Sequence, residues 1–85
     1  MNTTMVNTTL GKVENIEEIL KGEFAVVAEW QQKGILAHIF VKEAGGGAVL
    51  VFNETDLGTV KQLISQLPLS KHFEKTEYTL LDKQF

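Results

Sequence analysis

Eighty-five residues, 44% of them hydrophobic, are enough for one domain spanning 1–85 and leave no room for a second. The formal charge is -3 and all eight basic residues are lysines, so no guanidinium is present to grip phosphate in a two-point fork, and no basic stripe compensates. Nucleic acid is excluded as an expected partner. The chain has no cysteine, which removes disulfides, thiolate nucleophiles and thiolate metal sites.

No window approaches the roughly 18 apolar residues of a membrane span. No charged leader runs into an apolar stretch at the start. The expectation is a cytoplasmic protein with no membrane partner.

Met1 to Leu10 is rich in threonine and valine, whose branching at Cβ suits a strand, although its asparagines and threonines are polar for a buried element. Asn15 and Glu18 have capping-box spacing, and Ile16, Ile19, Leu20, Phe24, Val27 and Ala28 then recur at helical intervals. That helix should stop near Lys33, with Gly34 in the left-handed conformation; Gly22 inside it costs about 1 kcal/mol relative to alanine.

Ile35 to Lys42 and Ala48 to Phe52 read as strands joined by a hairpin turn at Gly45-Gly46-Gly47. A phosphate-cradling role for those glycines needs a helix directly after them, and a strand follows instead. Asn53 or Thr55 is placed to cap a second helix carrying Leu57, Val60, Ile64 and Leu67, which Pro68 closes. A last strand, Thr76 to Leu81, completes a βαββαβ order. The predicted fold class is therefore α+β and ferredoxin-like, an antiparallel four-stranded sheet with both helices on one face.

Simple alternation in the second strand puts Ile35, Ala37, Ile39 and Val41 on one face and Leu36, His38, Phe40 and Lys42 on the other. Both sets are largely apolar. Two helices can cover one face only, so a second copy is expected to cover the other, making a two-fold dimer with a barrel-like interior.

The stretch from Gly34 through the glycine turn into Ala48-Val49-Leu50-Val51-Phe52, the helix running into Leu67-Pro68-Leu69, and the closing Glu77-Tyr78-Thr79-Leu80-Leu81 together resemble the muconolactone isomerase-like family. The likeness spans roughly Ile16 to Leu81 and is greater to short uncharacterised relatives than to the isomerase itself. It implies a dimeric α+β barrel, sometimes assembled further into rings, and for the isomerase branch proton shuffling in an unsaturated lactone.

Two departures stand out. Ile39-Phe40-Val41 occupies the place of a Leu-Trp-Arg run, and Gly46-Gly47-Ala48 that of a Tyr-Ala-Asn run. Without the arginine, recognition of a carboxylate-bearing lactone loses its basis. The His and Asp pair of the YCII-type relatives has no match either.

His38, mid-strand on the face assigned to the dimer, is the catalytic candidate, because an imidazole exchanges protons near neutral pH; an ordinary interface histidine is the alternative. Trp30, Phe40 and His72 are the ligand-binding candidates. For Trp30 the commoner role is ordinary core at a helix edge, and for His72, beside Lys71 in a polar loop, it is solvated surface. His38 and His72 lack ligand spacing for a metal, Ser65 and Ser70 lack a nucleophile-elbow context, and no motif calls for a cofactor.

Two functions fit these residues. One is a dimer binding, and isomerising, a small lactone or enol. The other is a non-catalytic assembly module whose apolar sheet face serves only to dimerise.

Overall fold

The computed structural model describes residues 2–42, 46–82 and 84. Its elements run β1 (Asn2–Leu10), α1 (Ile16–Gln32), β2 (Leu36–Val41), β3 (Ala48–Phe52), α2 (Leu57–Ser65), a short 3-10 turn (Ser70–His72) and β4 (Phe73–Asp82). All pairings are antiparallel, in the order β2-β3-β1-β4. This is the expected βαββαβ ferredoxin-like arrangement. Among the described residues no helix is long and apolar enough to cross a membrane.

One side of the sheet packs against both helices. Val6, Leu36, Leu50 and Phe52 meet Val27 and Trp30 of α1 and Val60 and Ile64 of α2 in a single core, with Trp30 and Phe52 ring centroids 5.6 Å apart. The polar character of β1 is reconciled with burial by local hydrogen bonds. Thr4 Oγ1 donates to the Glu54 carbonyl at 2.7 Å, and Thr8 Oγ1 both donates to Ala48 O and accepts from Ala48 N at 3.0 Å. A buried hydroxyl satisfied in this way carries little desolvation penalty.

β2 departs from simple alternation. Leu36 pairs with Phe52 and His38 with Val51, so Ala37 is an extra residue in a β-bulge. Leu36 therefore joins Ile39 and Val41 on the helix side, and only Phe40 flanks His38 on the other. The opposite face carries His38 and Phe40 of β2, Val49 and Val51 of β3, Met5 and Asn7 of β1, and Glu77 and Thr79 of β4. No described element covers it.

The helix ends also differ in detail from expectation. Asn15 adopts a left-handed conformation and makes no side-chain cap, so the capping box does not form. At the other end Gly34 is left-handed (φ 74°) as expected, and the Ile35 amide reaches back to Trp30 O at 2.9 Å.

Asp56 caps α2, accepting from the Thr59 amide at 3.1 Å and the Thr59 hydroxyl at 2.6 Å, which holds its carboxyl below the ordinary value. Asn53 is occupied elsewhere: Nδ2 donates to Gly34 O and its amide to Ile35 O. β4 starts earlier than predicted, at Phe73, because Phe73 pairs with Leu10 across a second bulge.

Within the glycine turn, Gly45 lies outside the described residues. Gly46 meets nothing within 4 Å of an added Cβ, whereas Gly47 has φ 135° and a Cβ there would run into the Thr8 carbonyl oxygen. The turn's conformational demand thus falls on Gly47. Gly47→Ala should cost about 1–3 kcal/mol of unfolding free energy and Gly46→Ala less than about 0.5 kcal/mol, read by urea denaturation. Equal effects at the two positions would contradict this packing.

Candidate active site

Between α1 and the helix side of the sheet lies a cavity of about 150 Å³. Its walls are Ile16, Leu20 and Phe24 from α1, Leu10 from β1, Ile39 and Val41 from β2, Leu50 from β3, and Leu69 and Phe73 beyond α2. An apolar space of about this volume admits one benzene-sized ring.

Among the described residues Glu23 is the only ionisable side chain in the lining, and it is 9% exposed. Its Oε1 accepts the Leu69 amide at 3.1 Å, while Oε2 has no hydrogen-bond partner among the described residues. Burial raises its pKa and the Leu69 amide opposes that rise in part. The other polar side chain, Thr8, has its hydroxyl engaged with Ala48 in both directions. Glu23 Oε2 is therefore the lining carboxyl oxygen without a partner among the described residues.

The position of Glu23 follows from a close approach. At Gly22 an added Cβ would lie 3.3 Å from Pro68 Cγ, so the missing side chain lets α1 settle against the Leu67-Pro68-Leu69 turn. That contact brings the Leu69 amide within reach of the carboxylate. The helix-weakening glycine noted in the sequence thus sits where the two segments meet.

None of the four residues singled out from sequence lines this cavity. His38 and Phe40 lie together on the opposite, uncovered face, their ring centroids 6.1 Å apart, with Phe40 60% exposed. Trp30 is buried in the core against Phe52. His72 is half-buried in the short turn before β4, where its carbonyl accepts the Gly11 amide at 3.0 Å.

Glu23 itself was legible in principle: Leu20, Glu23, Val27 and Trp30 step by three, four and three residues along one helical stripe. An acid on an apolar stripe is the signal. Among the described residues no group of three His, Asp or Glu side chains is arranged to hold a metal ion.

The raised carboxyl has a consequence for stability. The folded chain holds the Glu23 proton to a higher pH than the unfolded chain, whose value is near 4.5, so the stability gained is complete below that value. It is lost as pH rises through the folded value. Relative to wild type, Glu23→Gln should gain stability as pH climbs through this window and then level off, measured by urea unfolding at stepped pH. A difference that stays flat across pH would rule out the shift.

No family model matches the chain, and no curated protein matches it in sequence. Solved structures match it over nearly its whole length. A muconolactone isomerase structure superposes with a TM-score of 0.77 at 17% identity, covering 99% of this chain and 91% of that one. An antibiotic biosynthesis monooxygenase gives 0.66 at 16% identity, with 98% of each chain covered.

The 5-chloro-2-hydroxyhydroquinone dehydrochlorinase of Burkholderia phenoliruptrix, solved with 2,5-dihydroxybenzoquinone, gives 0.66 at 12% identity over 91% of this chain and 90% of that one. These neighbours differ in named activity, and what they share with this chain is architecture. The protein has the ferredoxin-like α+β fold of the dimeric α+β barrel proteins, muconolactone isomerase among them.

Proposed function

We propose that this chain is a dimeric α+β barrel protein that binds a small lactone or enol in the cavity beneath α1 and isomerises it by proton transfer through Glu23. The observation that carries this reading is a single carboxyl, with its pKa raised and one oxygen unpartnered, in an otherwise apolar cavity. A carboxylate poised in this way takes a proton from the carbon between a double bond and a carbonyl, leaving a dienolate. Returned from the carboxylic acid to the far carbon of the dienolate, the same proton completes an allylic shift. Atoms and charge balance without any co-reactant.

Two fold neighbours support the class. One is named for a lactone isomerisation, and another was solved with a single-ring quinone of the size this cavity admits. Neither places a role on any residue of this chain.

A catalytic part for His38 requires a second enclosed space on the open sheet face, bounded by a partner copy. In the reading favoured here His38 and Phe40 belong to that contact between copies, Trp30 to the core and His72 to the turn. Non-catalytic assembly is the competing function, favoured by the apolar surface of Phe40, Val49 and Val51 on the uncovered face.

α-Angelica lactone is a neutral probe for the chemistry, since its double bond migrates by an allylic proton shift. Wild-type protein should speed the shift and the accompanying exchange of solvent deuterium, and Glu23→Gln should lose about 10²-fold or more of that acceleration. His38→Gln should retain it. No acceleration by wild type, or full activity in Glu23→Gln, would sink the isomerase reading.

The dimer has its own test. Wild type should sediment as a dimer at micromolar concentration, and Phe40→Asp, which places a carboxylate in the contact without compensation, should shift it toward monomer. A wild-type monomer at that concentration would refute assembly through this face.

A further inference from the structure

The cavity combines three features that together select among ligands. Among the described residues Glu23 is the one ionisable wall group, and no described lysine or histidine lines the cavity to neutralise an anion. Thr8 has no hydroxyl hydrogen to offer an anion, because it is donated to the Ala48 carbonyl. Phe24 and Val41 line the cavity yet remain 56% and 66% exposed, so they form its rim while Glu23 lies inside.

We infer that the site takes an uncharged ring bearing one hydroxyl or carbonyl, which points inward to Glu23 Oε2 while an apolar substituent leaves past Phe24 and Val41, and that it rejects carboxylate-bearing ligands. This rests on the cavity's being the binding site.

The discrimination holds in either state of Glu23. As a carboxylic acid it donates to a carbonyl or accepts from a hydroxyl, but it offers no positive charge, so an entering anion is buried unpaired. As a carboxylate it still accepts from a hydroxyl, and it repels an anion at short range in a medium of low dielectric. A carboxylate ligand is disfavoured both ways. An apolar substituent costs nothing at the rim, where Phe24 and Val41 supply contact.

4-Propylphenol and 4-propylbenzoate are the probes, similar in shape, the first neutral and the second anionic at pH 7. Titration followed by the backbone amide signals of Leu69, which donates to Glu23, and of Gly47 on the far wall reports occupancy directly. The phenol should bind the wild type at least tenfold tighter than the benzoate. In Glu23→Gln, whose amide can donate to a carboxylate, that ratio should fall at least threefold.

Benzoate binding as tightly as phenol in the wild type would overturn the selectivity while leaving the cavity as a binding site. An unchanged ratio in Glu23→Gln would overturn the part assigned to Glu23. Perturbation of neither amide by either probe would overturn the cavity reading itself and the selectivity with it. The wild-type comparison decides the first and third outcomes even if the variant is poorly folded.

Discussion

One face of the four-stranded sheet is apolar and covered by both helices, while the other mixes Met5, Phe40, Val49 and Val51 with Asn7, His38, Glu77 and Thr79 and has no described element over it. On the covered side, Val6, Leu50 and Phe52 are held against α1 and α2 in one continuous core. Placing α1 over the sheet also leaves the gap in which Glu23 sits. On the other side Phe40 is exposed and Val49 and Val51 are half-buried, with no described element packed over them. Burial of the first face stabilises the monomer, and burial of the second is what association would add.

Glu23 depends on this arrangement more than on any local motif. Its carboxyl is anchored by an amide 46 residues away in sequence, and that amide is within reach because Gly22 and Pro68 touch. The same anchoring leaves the other carboxyl oxygen without a partner among the described residues. A carboxylate inside an apolar core is costly unless paired or neutralised, and a raised pKa with one backbone hydrogen bond is the compromise reached here.

The order of elements was readable from sequence because each carries a local signal. The threonines and valine of β1 recur at strand spacing, α1 has its apolar stripe and its stop at Gly34, and Pro68 closes the second helical segment. Where the reading fell short, distant contacts decide. Asn53 has the chemistry of a cap but is drawn to Gly34 and Ile35, so Asp56 takes that role. β4 gains its first residues by pairing with the end of β1, which no local pattern announces.

The candidate cavity was less legible than the fold. Histidine and tryptophan attract attention as chemistry-bearing residue types, whereas the acid at position 23 looks like one more surface glutamate until the helix is seated on the sheet. Its place on the stripe with Leu20, Val27 and Trp30 was the available signal.

The bulge at Ala37 acts as a phase shifter in β2. Before it, Leu36 keeps step with the core; after it, Ile39 and Val41 do the same, although an unbroken strand would send Leu36 and Ile39 to opposite sides. Ala37 is the one residue of the strand without a partner opposite it, so its removal would leave Leu36 facing Phe52 and His38 facing Val51 as they are now. A deletion farther along the strand is absorbed at the bulge only by turning Ala37 and any residues between it and the deletion to new faces. Ala37 is thus where β2 can lose or regain a residue with every paired side chain keeping its present face.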